Sequence, residues 1–170
     1  KIKALFNPER YHGWGKQKKY FEGWYYKIIS ADEKHAFAFI PGIAMDNEGN
    51  KQAFIQMLDG NKLTAEYIKF PAEDFSAQSN TFKTEISDNT FQIDRLQLNL
   101  PNAKGELYFK NMVPWPSRWY SPGIMGPYSF VPFMECYHGI LSMDHEIHGS
   151  LEINNEKIDF TGGRGYIEKD

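Results

Sequence analysis

Apolar and polar residues alternate along this chain in short runs separated by turn-forming clusters, and no stretch shows the three-to-four-residue spacing of a helix face. The run at 19–29 is the most distinctive. On a strand, Glu22, Trp24, Tyr26 and Ile28 face one side while Phe21, Gly23, Tyr25, Lys27 and Ile29 face the other. Both faces are largely apolar, so the strand needs cover on both, and a carboxylate beside Trp24 must be paired, protonated or at a rim. Further strands are predicted at 35–40, ending at Pro41-Gly42, and at 52–58 and 64–70. The series continues at 82–86, at 90–100 with a bulge near Arg95, and at 105–110, 135–141, 147–153, 157–160 and 166–170. Turn signals recur every ~8–12 residues, the pattern of an all-β protein: an antiparallel β-barrel or a strongly curved β-sandwich.

Two stretches depart from the alternation. Residues 1–18 read as an irregular N-terminal arm, with a turn at Asn7-Pro8 and glycines at 13 and 15. Residues 113–133 hold five of the nine prolines together with Trp115 and Trp119, so they form a long aromatic loop rather than a strand. Exposing that much apolar surface costs several kcal/mol at roughly 25 cal/mol per Å², so the loop covers either the core or a ligand cavity. The final run stops without a terminator, which suggests a chain cut mid-strand with an edge left to pair.

Composition narrows the function. At 170 residues one β domain spanning 1–170 is expected, and no run approaches the ~18 apolar residues of a membrane helix. A net charge of −3 with no dense basic cluster argues against nucleic acid. The aromatic fraction of 16% points to an apolar cavity or ring-lined groove, to which Trp24, Tyr25, Tyr26, Trp115, Trp119 and Tyr137 are the expected contributors. Cys136 is the single cysteine; it fits a reducing compartment such as the cytoplasm and leaves localisation open. No nucleotide loop or nucleophile elbow is present. Residues 134–148 concentrate three histidines and three carboxylates, but His145 and His148, three apart on extended chain, diverge, so no metal site is expected and these two histidines read as a wet turn.

Several motifs carry a family resemblance. His12-Gly13 with Lys16, Phe21-Glu22-Gly23-Trp24-Tyr25-Tyr26-Lys27, Phe39-Ile40-Pro41-Gly42, Tyr137-His138-Gly139 and Gly165-Tyr166-Ile167-Glu168-Lys169-Asp170 together resemble the tocopherol cyclase family. The resemblance implies a lipocalin-like barrel and, because the last motif continues in that family into a second β half, the first half of a two-domain protein. It also implies an apolar, prenylated quinol-type ligand closed to a chromanol without a cofactor. The partners then expected are that ligand, the C-terminal half of the same protein and a membrane surface at its periphery.

Such ring closure needs a carboxyl group kept neutral in a dry pocket, and Glu22 against Trp24 suits that role, with Glu168 and Asp170 as rival acids. Trp24, Tyr25 and Tyr137 would stabilise the tertiary cation, and His138 or Asp144 would take the phenolic proton. Three other readings stand beside this one. Glu22–Lys27 or Glu168–Lys169 can be read as structural ion pairs, the protein as a non-catalytic lipocalin-like carrier, or Trp115 and Trp119 as sugar-stacking rings.

Overall fold

The computed structural model describes residues 7, 9–119, 123–126, 128 and 138–170. Strands β1 (Tyr20–Ile29), β2 (Ala36–Met45), β3 (Lys51–Asp59) and β4 (Thr64–Pro71) form an antiparallel meander, followed by a 3-10 turn at Ala72–Asp74. Then come β5 (Phe75–Ala77), β6 (Lys83–Ile86), β7 (Asn89–Gln92), β8 (Arg95–Asn99), β9 (Ala103–Val113), β10 (Gly139–Ile153), β11 (Glu156–Asp159) and β12 (Arg164–Lys169). All belong to one sheet, in the order β4-β3-β2-β1-β12-β10-β9-β8-β7-β6-β5, with β11 on β10 beside β12. The two ends of that path, β4 and β5, are joined through the short 3-10 turn, so the sheet curls into a nearly closed, lipocalin-like antiparallel barrel.

Alternation accounts for the barrel wall. Trp24, Tyr26 and Ile28 of β1, Phe37 and Phe39 of β2, Leu96 and Leu98 of β8, and Ile147 and Leu151 of β10 all point inward and are buried. The interior is filled by side chains. Trp24 stacks on Phe82 at 5.7 Å and on Phe75 at 6.5 Å, and Tyr26 meets Phe91 and Phe109 at 5.8 and 6.2 Å while donating its hydroxyl to the Gln92 carbonyl. Sharp coiling of the β9–β10 ribbon is permitted by Gly105 and Gly149, at φ +132° and +117°. A Cβ on either would lie 2.6 or 2.4 Å from a carbonyl oxygen of the facing strand.

Five sequence expectations need correction. β2 does not end at Pro41-Gly42 but runs on to Met45, because Gly42 lets the Phe54 ring lie directly on the strand. Residues 90–100 are not one bulged strand; they reverse at Ile93-Asp94 into the β7–β8 hairpin, with Phe91 opposite Leu96. The strand expected at 105–110 extends to Val113. β10 is continuous from Gly139 to Ile153, so His145 and His148 lie in a strand with two register shifts rather than in a wet turn. Finally, the last strand offers no edge: β12 lies between β1 and β10, and Asp170 exchanges backbone hydrogen bonds with Gly23. The expectations for 120–122, 127 and 129–137, including Tyr137 and much of the aromatic loop, lie outside the described residues.

Candidate functional site

At one mouth of the barrel the inward positions of β1 and β12 change from apolar to charged. Glu22 and Lys169 are adjacent there because Trp24 is in register with Lys169. Their Oε1–Nζ separation is 2.5 Å and their side chains are only 3% and 5% exposed. Burying two charges is expensive unless every donor and acceptor is matched, and here they are matched by the N-terminal arm.

The Lys169 ammonium has three N–H groups and three acceptors: Glu22, the Arg10 carbonyl and His12 Nδ1 at 3.1 Å. Glu22 accepts from the His12 amide at 2.9 and 3.0 Å, the Gly13 amide at 3.1 Å and the Tyr20 hydroxyl. His12 Nε2 lies 3.1 Å from the Asn7 carbonyl, an acceptor only, so Nε2 carries the proton and Nδ1 is left to receive from Lys169. Burial, and then the Lys169 charge, hold the His12 pKa below its ordinary value, in keeping with this neutral tautomer. Burial also lowers Lys169, against the opposing pull of Glu22, while burial and the Glu22 charge push the Tyr11 hydroxyl up to about 12 and Tyr20 higher still.

The arm is therefore a cap held by its backbone. Trp24 Nε1 donates to the Glu9 carbonyl at 2.9 Å, adding a third barrel side chain to the set that fixes residues 9–13. Gly13 has no room for a side chain: a Cβ would sit 2.2 Å from the Tyr11 hydroxyl and 2.5 Å from the Tyr20 ring. Beyond Gly13 the arm forms one wall of a groove of about 520 Å³. Tyr11, Trp14 and Phe75 supply its rings, Ile43 and Met45 its apolar floor, and Lys16 and Lys51 its charges. Tyr11 meets Trp14 and Phe75 edge-on, each at 5.1 Å.

A second group lies on the outer face of the same strands. Tyr166 donates to Glu168 at 2.5 Å, Tyr25 packs edge-on against Tyr166 at 6.4 Å, and His138 pairs with Asp170. Burial raises the Asp170 pKa, partly offset by His138.

The structure thus separates the residues expected to act together. Glu22 is inside, while His138, Glu168, Asp170 and Tyr25 share the outer face of the β1–β12 pair. Asp144 forms a two-point ion pair with Arg164, six residues from Asp170 along β12, or roughly 20 Å at about 3.3 Å per residue. Trp24 and Tyr26 are sealed in the core and do not line the groove. Trp119 is 81% exposed and Trp115 half-buried. Neither anticipated ion pair forms, since Lys27 is exposed on the face opposite Glu22 and Glu168 and Lys169, as neighbours on one strand, point to opposite sides.

Sequence reasoning missed Tyr11, His12, Tyr20 and Lys169 at the charged mouth, and Trp14, Lys16, Ile43, Met45, Lys51 and Phe75 in the groove. A signal existed for one of them: the alternation that turns Gly165 and Ile167 inward also turns Lys169 inward, and a buried lysine needs an acid. A separate buried pair lies deeper. Ser142 donates to the Asp144 carbonyl at 2.9 Å and faces His145 Nδ1 at 2.9 Å, so Nδ1 is the donor and His145 is not a base toward that serine.

No family model and no curated protein matches this chain in sequence. Among solved structures it is similar to CghA with Sch210972, at a TM-score of 0.53 and 12% identity, and to CghA alone, at 0.51 and 10%. Each likeness covers 88% of this chain and 44% or 45% of the other, so the chain spans less than half the length of the solved structures it matches. At such identity the likeness establishes a common fold.

Proposed function

We propose that this chain is tocopherol-cyclase-like and binds an apolar, ring-bearing small molecule of the prenylated-quinol kind in the groove beneath its N-terminal arm. The observation that carries the reading is the groove itself: about 520 Å³, with three aromatic rings above an Ile–Met floor, within the ~300–1,000 Å³ typical of small-molecule sites. CghA, of like fold, is known with Sch210972, which supports looking for a ligand here.

Binding without turnover is the form best supported. A proton-first cyclase needs an acid that still holds its proton, whereas Glu22 faces only donors: two amides, a hydroxyl and an ammonium. One observation favours a second reading in which ring closure occurs. The Asp170 carboxyl is raised by burial and touches His138, giving an acid and a base in contact on the outer face. In that reaction Asp170 would protonate the alkene, the phenolic oxygen would attack the resulting cation, and the base would remove the phenolic proton.

The test is titration with a prenylated hydroquinone, following quenching of Trp14 with Trp14→Phe as the control, and mass spectrometry of the same mixture in D₂O. Saturable quenching with no deuterated product supports a carrier. A chromanol with one new deuterium on carbon, retained in Glu22→Gln and lost in Asp170→Asn, supports the cyclase on the outer face. Absence of both binding and product refutes the proposal.

A further inference from the structure

The charges around the groove are all of one sign. In a chain whose net charge is −3, the residues lining this cavity include Lys16 and Lys51 and no carboxylate. Glu22 lies behind the Tyr11–Gly13 wall and is committed to Lys169. Glu73 and Asp74 sit in the adjoining 3-10 turn but contribute no lining. Among the described residues neither Lys16 nor Lys51 is paired with a carboxylate; the Lys16 ammonium lies 5.7 Å from the Tyr20 ring centre. Lys51 is in register with Met45, and cross-strand partners project to the same face, which places its stem over the groove floor. The remaining polar contributors, Gln17 and Ser76, are neutral.

Resting on the groove reading above, we infer that the site selects an amphipathic organic anion. The apolar, ring-bearing body lies among Tyr11, Trp14, Phe75, Ile43 and Met45, and a carboxylate head sits at the rim between Lys16 and Lys51. The apolar walls supply affinity that any ring-bearing ligand can use, and the two ammonium groups supply discrimination, because only an anion recovers what their partial desolvation costs. An exposed Trp14, 58% accessible in the free protein, is the natural lid for such a body.

The experiment compares 2-naphthoate with its neutral isostere 2-naphthamide, using Trp14 quenching to follow each in the whole chain. The expected result is roughly five- to thirtyfold tighter binding of the carboxylate in low salt, the equivalent of two partly exposed charge contacts. That preference should shrink with added NaCl and vanish in Lys16→Gln/Lys51→Gln, with amide binding unchanged. Both lysines are exposed, so the variant is expected to fold, and circular dichroism checks this. The salt titration of the unmodified chain tests the same preference without any substitution. Equal binding of both probes overturns the inference while leaving the groove in place. If neither probe binds, the groove reading itself fails.

Discussion

Replacing Glu22 by Gln removes one charge from a buried pair and turns one of its two acceptor oxygens into an –NH2 donor, which must face either the Lys169 ammonium or the His12 and Gly13 amides and the Tyr20 hydroxyl, all of them donors. Breaking such a pair from one side costs about 3–5 kcal/mol. The loss has a ceiling set by the lysine's own chemistry. Lys169 escapes the charge by releasing its proton, and at pH 7 that costs no more than about 4.6 kcal/mol for a group with an unfolded pKa near 10.4. Around 3–4 kcal/mol is therefore expected, seen as a fall of roughly 6–12 °C in Tm for a chain of this size.

The reciprocal change, Lys169→Met, should cost less, about 2 kcal/mol, because Glu22 keeps the His12 and Gly13 amides and the Tyr20 hydroxyl. The double variant, with neither charge, should be at least 2 kcal/mol more stable than the sum of the two single losses implies. Urea unfolding of all four proteins measures this coupling. pH supplies a second signature. Because a penalty of about 3–4 kcal/mol on the charged form makes Lys169 release its proton in folded Glu22→Gln from about pH 8 while the unfolded chain keeps it, the unfolded state then binds more protons, so stability should rise by up to about 1.4 kcal/mol per unit from about pH 8 toward 10. In the parent protein the rise is confined to the interval between the lowered folded value and the ordinary one. Coupling below about 0.5 kcal/mol, or a flat pH profile in the variant, would refute the paired-charge account of the mouth.

Two further outcomes follow from the same geometry. His145 is fully buried, its Nε2 has no hydrogen-bond partner among the described residues, and burial lowers its pKa to about 4. The neutral imidazole carries no protonation penalty above pH 6.5, and stability should fall by roughly 3 kcal/mol between pH 6.5 and 4, a dependence that His145→Gln should remove in urea titrations at several pH values. Gly13→Ala should displace the arm by collision with Tyr11 and Tyr20, at about 1–3 kcal/mol, and speed tryptic cleavage after Lys16, Lys18 and Lys19, whereas Gly123→Ala, with nothing within 4 Å and no left-handed backbone to strain, should leave that rate unchanged.

The barrel was legible because its determinants are local. Two-residue alternation set the faces of β1, and turn chemistry at Asp46-Asn47-Glu48-Gly49-Asn50, Asp59-Gly60-Asn61 and Asn154-Asn155 placed three of the hairpins. The errors came where a local signal was overruled by packing. Gly42 and Pro41 resemble a strand end until the Phe54 ring is seen to need the space above Gly42. His145 looks like a solvated turn residue until β12 covers it and Phe109 closes to 4.4 Å. The site was legible only in half. Glu22 was identifiable as a carboxylate needing a partner, but that partner is 147 positions later in sequence, on a neighbouring strand, and the remaining donors are backbone amides, which no residue type announces.

That division explains why the groove lies where it does. A barrel whose ends are β4 and β5 has its seam beside β3 and the short 3-10 turn, and a seam without ladder hydrogen bonds must be covered by something else. Residues 11–17 supply the cover next to it, anchored at one end by Glu22 and Lys169 and resting through Tyr11 on Phe75 of the edge strand β5. The charged pair gains little stability over an apolar equivalent, and its contribution is geometric, since it fixes backbone from outside the sheet at a defined height above the barrel mouth. If so, an apolar replacement of the pair should retain the barrel's stability and still lose the groove. In Glu22→Leu/Lys169→Met, urea unfolding should fall near the parent midpoint while Trp14 quenching by 2-naphthamide disappears; retention of quenching would show that the arm is positioned by its aromatic contacts alone.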